Sequence, residues 1–67
     1  MSRLKASREI VAALEAKGFT FRSQKGSHAK YVKGKYTVIV PHPRKEIPMG
    51  TFRSIVRQSG LAIEDFE

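Results

Sequence analysis

Apolar residues along the chain change their period twice, and the three regions so marked predict different structures. In "SREIVAALEAKGF", Ile10, Val11 and Leu14 recur at helical spacing among good helix formers. Gly18 stands where a left-handed residue ends a helix, and Phe19 is placed to fold back on Leu14. From Phe19 the period falls to two. Phe19 and Phe21 alternate with Thr20 and Arg22. In "HAKYV", Ala29 and Tyr31 take one face while His28, Lys30 and Val32 take the other. "YTVIV" is the most β-prone segment, and Pro41 ends it. Glycine turns at Lys25-Gly26 and at Gly34 join these segments into an antiparallel meander of three strands. The helical period returns in "GTFRSIVRQSGL", where Phe52, Ile55 and Val56 share one face and Arg53 and Arg57 another. Pro48 suits the first helical position. Gly60 ends this second helix, with Leu61 folding back on Val56. The closing "IEDFE" reads as a short acidic tail with room for one more helical turn.

The predicted order is α-β-β-β-α. One apolar stripe per helix and a three-stranded antiparallel sheet make a two-layer α+β domain, with both helices on one sheet face and the other face open. That order and layering match the double-stranded-RNA-binding-domain architecture, although architecture alone does not set function. The 67 residues make one domain at most, spanning 1–67. A chain this short buries only about 60% of the surface its unfolded form exposes. Its core is a single layer of large side chains, which takes Phe19, Tyr31 and Phe52. Phe21 and Tyr36 remain as platforms on which unpaired bases could stack. There is no room for a deep cleft, so a site here is shallow and suits a polymer better than a small metabolite.

Charge sharpens this picture. The net charge is +7. Residues 16–45 hold eight Lys/Arg and no Asp or Glu, whereas residues 46–67 hold two Lys/Arg against four acids. A block of this kind is an electrostatic footprint for phosphate polymers, with a solubilising surface as the plainer reading. The absence of cysteine excludes a disulfide scaffold, a thiol nucleophile and thiolate metal sites. No apolar run approaches the ~20 residues of a membrane span. "MSRLKASREI" lacks the apolar core of a signal peptide, and a cytoplasmic protein is the simplest expectation.

The candidate chemistry centres on "KGSHAK". Imidazole has an ordinary pKa of ~6.5, close to cellular pH. It can take a proton from a ribose 2′-hydroxyl and return one to a leaving oxygen. RNA cleavage by internal transesterification requires that, together with cations beside the phosphate, and needs no metal. Lys25 and Lys30 flank His28 for this role. Gly26 lets backbone approach a phosphate closely, and Ser27 can donate a hydrogen bond to it. The three residues "GSH" fit equally a surface histidine that merely ends a turn. His42 is either a second acid/base group or, more simply, a loop residue held stiff by Pro41 and Pro43. Arg44, Lys45, Arg53 and Arg57 form a second basic cluster, near a helix start that favours a phosphate. Two histidines with no acid at ligand spacing do not make a metal shell. On these residues alone a ribonuclease, a non-catalytic RNA-binding module and a basic structural protein of a ribonucleoprotein all stand.

From about Ser7 to Phe66 the chain resembles the HicA-type toxins of bacterial and archaeal toxin–antitoxin modules, which are small mRNA interferases. "EIVAALEAKGF" is similar to that family's first helix and Gly-Phe ending. "QKGSHAKY" is similar to its active-site motif, and "TVIVPHPRKEIPMGTFRSIVRQSGL" to its third strand, loop and last helix. The resemblance implies a double-stranded-RNA-binding-like fold and metal-independent cleavage of mRNA without a cofactor. It also implies His28 as the catalytic residue and a HicB-type antitoxin that blocks the site. Lys25, Gly26, Ser27, Lys30, Arg44 and Lys45 are the expected RNA contacts. The one departure is Ala62, where a helix-capping Ser or Asn is expected before the tail.

Overall fold

The computed structural model describes residues 3–67. Its elements are helix α1 (Ser7–Ala16), strands β1 (Thr20–Lys25), β2 (His28–Lys33) and β3 (Tyr36–Pro41), helix α2 (Met49–Ser59) and a 3₁₀ turn (Ile63–Phe66). The strands form one antiparallel sheet in the order β1-β2-β3, with β2 in the centre. Both helices pack over β3 on one face of this sheet, giving the two-layer α+β arrangement. The thinnest dimension, 18 Å, is the depth of two layers.

Burial along the strands shows which face is covered. Ala29 and Tyr31 of β2 and Val38 and Val40 of β3 are buried. They meet Ile10 and Leu14 of α1 and Phe52 and Ile55 of α2 in one core, closed by Phe19, Ile47 and Phe66. The alternate residues His28, Lys30 and Ile39 are exposed. The helices leave β1 uncovered. All six of its residues are exposed, and Phe21, which stacks edge-on to Tyr31 with centroids 5.8 Å apart, is 53% exposed. A bulge between Phe21 and Ser23, around Arg22, breaks the simple alternation. Phe19 therefore enters the core just before the strand begins, whereas Phe21, two residues on, does not.

The helix ends explain themselves. Phe19 N–H donates to Leu14 O (3.0 Å) and Gly18 N–H to Glu15 O (3.0 Å), the paired bonds of a Schellman ending, with Phe19 and Leu14 both buried. At the end of α2 a side chain mediates the equivalent closure. The Ser59 hydroxyl donates to Val56 O (2.7 Å) and accepts from Leu61 N–H (3.1 Å), so Leu61 returns towards Val56 through a buried serine. Pro48 sits one position earlier than expected. Its ψ of 149° is extended, so it precedes the helix rather than opening it, and its carbonyl accepts from Phe52 N–H at 2.9 Å. After Ala62 the short turn forms without a Ser or Asn cap, because the Asp65 carboxylate accepts Ala62 N–H at 2.9 Å.

The loop from His42 to Pro48 is pinned to the other end of the chain. Ser7 N–H donates to Arg44 O (2.9 Å) and Ile47 N–H to Lys5 O (2.8 Å), while the Ile47 side chain enters the core. Both edges of the sheet differ. The outward N–H of Ile39 on β3 is taken by Gln58 of α2 at 3.1 Å, and Pro41 has none. The outer edge of β1 is left with the Arg22 bulge and Lys25, features that discourage strand addition.

Candidate active site on the open sheet face

His28 begins the central strand, immediately after the two-residue turn Gly26-Ser27. Its Cα partners are Lys25 on β1 and Pro41 on β3. Directly opposed residues of antiparallel strands share a face, as do residues two apart on one strand. Lys25, His28 and Lys30 therefore stand together on the open face, with Ser23 across from Lys30. Ile39 and Pro41 lie across from Lys30 and His28 on the other side, so an apolar margin runs beside the cations. Among residues 20–41 there are five Lys/Arg and no carboxylate. A phosphate at His28 would meet the cations of Lys25 and Lys30 and no carboxylate of the sheet. The Gly26 turn has φ +57°, and a side chain added there would meet no atom within 4 Å, so the space above it is open to a ligand.

Four of the residues singled out in the sequence, Lys25, Gly26, Ser27 and Lys30, are thus gathered around His28. Arg44 and Lys45 are placed elsewhere. They line a concavity of about 350 Å³ at the start of α1, together with Ser7, Arg8, His42 and Pro43. Arg53 and Arg57 lie on α2 outside that concavity.

The two histidines face opposite ways. His42 N–H donates to Ser27 O at 2.8 Å, so His42 opposes Ser27 just as Pro41 opposes His28. Its ring points to the helix side, where Nδ1 lies 2.7 Å from Ser7 Oγ. Ser7 Oγ also accepts Arg44 N–H at 2.8 Å. The buried Ser7 hydroxyl thus joins the His42 ring to the Arg44 backbone. His42 is held in its loop by these bonds and does not share a face with His28.

Sequence reasoning missed Ser7 and Gln24. Gln24 Nε2 donates to His42 O (2.7 Å) and Gly26 O (3.0 Å), which ties the His28 turn to the His42 loop. A glutamine in a strand carries no local signal for this, because its partner is 18 residues away. No group of three His, Asp or Glu at metal-ligand spacing occurs among the described residues.

A family model described as the HicA toxin of bacterial toxin–antitoxin systems matches residues 7–61. The probable mRNA interferase HicA of Pseudomonas fluorescens (strain Pf0-1) is 47% identical over 49 residues, covering 72% of this chain and 82% of that protein. The family match runs from the first residue of α1 past the glycine that closes α2, and takes in the whole His28 patch and the His42 loop. This chain belongs to the HicA toxin family.

Proposed function

We propose that the protein is an endoribonuclease toxin that cleaves mRNA, with His28 as its general acid/base. The observation that carries this reading is the placement of an exposed imidazole directly across from Lys25 and two residues from Lys30 on an open, carboxylate-free sheet face. In the reaction, His28 removes the proton of a ribose 2′-hydroxyl. The freed oxygen attacks the adjacent phosphorus, the P–O bond to the next 5′-oxygen breaks, and that oxygen leaves with the proton returned by the His28 imidazolium. The products are a 2′,3′-cyclic phosphate and a 5′-hydroxyl. Proton transfer by a positioned side chain contributes typically about 10²–10⁴-fold. Lys25 and Lys30 stabilise the charge that grows on the phosphoryl oxygens, and the Gly26-Ser27 turn gives the phosphate close access. Imidazole and ammonium groups suffice for this chemistry, so no metal or cofactor is required. Arg44 and Lys45 add contacts to the RNA backbone. The chain acts as a single HicA-like domain in the cytoplasm, and a HicB-type antitoxin silences it by covering His28.

Support comes from the family and from the relative whose name states mRNA interferase activity. The test is cleavage of a defined RNA with and without EDTA, and of the same RNA carrying a 2′-deoxynucleotide at the cut site. Cleavage should survive EDTA and stop at the deoxy position. A deoxy chain cut at the same place would rule out internal transesterification and leave attack by water.

A further inference from the structure

The geometry points to a second phosphate subsite in the concavity at the start of α1, where Arg8 and His42 hold a backbone phosphate of the RNA other than the one cleaved at His28. This inference rests on the ribonuclease reading and extends it. The concavity, about 350 Å³, is lined by Ser7, Arg8, His42, Pro43, Arg44 and Lys45. That lining offers three cationic side chains and the free edge of an imidazole, and no carboxylate. Arg8, Arg44 and Lys45 are exposed, and none is ion-paired among the described residues. The nearest acid in α1, Glu9, is already taken by Arg3 at 2.9 Å and by Ala6 N–H at 2.8 Å. Glu46 follows Lys45 in the loop but is not part of the lining.

The site is held rigid from three directions. The His42 ring is fixed by Ser7 Oγ (2.7 Å), its N–H by Ser27 O (2.8 Å) and its carbonyl by Gln24 (2.7 Å). With Nδ1 committed to Ser7, Nε2 is the ring nitrogen left to meet a ligand. Pro43 and the imidazole ring provide an apolar wall against which a sugar can rest. A phosphodiester fits this set: it accepts hydrogen bonds only, carries one negative charge, and sits beside a sugar.

Continuity with the His28 patch identifies RNA as the source of that phosphate. Ser27, which holds the His42 backbone, is the residue before His28. The patch and the concavity therefore lie on opposite faces of the same end of the sheet, joined by the Gly26-Ser27 turn. A single strand bound at His28 rounds this end to reach Arg8. The arrangement favours a flexible strand, which can turn around a sheet end, over a stiff duplex.

The experiment uses the full chain and an RNA oligonucleotide made uncleavable by 2′-O-methyl groups, with inorganic phosphate and an acidic peptide as separate probes. The oligonucleotide should shift the His42 ring and Arg8 side-chain NMR signals, and inorganic phosphate should shift the same signals more weakly. Arg8→Gln changes an exposed side chain. It should lower the magnitude of the log K against log salt slope by about 0.7, the value of one single-strand phosphate contact. It should also raise KM several-fold while kcat falls less than twofold, with Arg8→Lys restoring most of the loss. If wild-type protein cleaves RNA but Arg8→Gln leaves slope and KM unchanged, the subsite is wrong and the ribonuclease reading stands. If wild-type protein cleaves nothing, that reading falls, while the oligonucleotide shifts still decide whether the concavity binds RNA. Signals that move only with the acidic peptide would make the concavity a protein-docking site and overturn the proposal.

Discussion

At the scale of single residues, Gly26 and Gly60 show why similar backbone conformations have different consequences. Both are left-handed, with φ +57° and +70°. A methyl group on Gly26 points into open space, whereas one on Gly60 would lie 2.5 Å from Cε1 of the Tyr36 ring. Gly26→Ala should therefore cost only the left-handed penalty, about 1–2 kcal/mol. Gly60→Ala adds the displacement of a ring, so its cost should reach about 3 kcal/mol or more. Urea unfolding of the two variants measures this; equal losses would show that Tyr36 moves aside freely. Legibility in the sequence divides along the same line. Gly60 as a helix ending and His28 on the strand face opposite Ala29 and Tyr31 are local patterns, and they were readable. The partnership of Ser7 with His42 spans 35 residues and has no local signature. Arg44 and Lys45 were expected in one cluster with Arg53 and Arg57, yet only the first two line the concavity at the start of α1, because a linear charge block does not reveal which face each cation takes.

At the scale of elements, α1 starts without a Ser, Thr, Asn or Asp cap. Ala6 occupies the N-cap, and Glu9 compensates by accepting Ala6 N–H at 2.8 Å. Arg3 forks onto the same carboxylate at 2.9 and 3.2 Å. The Arg3 hydrogen bond, then the Ala6 N–H, hold the Glu9 carboxyl down to about 2 from its ordinary 4.5. A carboxyl depressed in the folded state contributes stability that is fully present above its unfolded pKa and fades as pH falls through the folded one. Glu9→Gln should therefore lower the melting temperature at pH 7, with the gap to wild type closing between about pH 4.5 and pH 2. A gap that stays constant down to pH 2 would mean that Glu9 acts by shape alone. The helices and strands themselves were legible from period and glycine position. The reach of the helical layer was not: β1 lies beyond it, and Phe21 has the same period as Phe19 yet remains half-exposed, because cover depends on where α1 and α2 cross the sheet.

At the scale of the whole molecule, the His28 patch and the core lie on opposite faces of one sheet. The helices bury the inner face, and the outer face carries the His28 patch on a strand held from both sides. The described residues form one two-layer body around a single core, so inhibition by the antitoxin should be direct cover of the patch. A surface complementary to Lys25 and Lys30 is acidic or polar, which speeds association and fixes register more than it sets affinity. In the inhibited complex, Lys25 and Lys30 should be protected from amine-modifying reagents. Full reactivity of both in a stable, inactive complex would point to distortion of β2 in place of cover.

The placement of His28 on that open face as the group that moves the proton is the centre of the account, and single-turnover RNA cleavage by His28→Ala tests it most directly. The side chain is exposed and makes no hydrogen bond among the described residues, so its removal should change stability by less than about 0.5 kcal/mol. Cleavage should fall by about 10²–10⁴-fold at unchanged circular dichroism and unchanged RNA affinity within a few-fold. A folded His28→Ala protein that cleaves RNA at the wild-type rate would contradict the account.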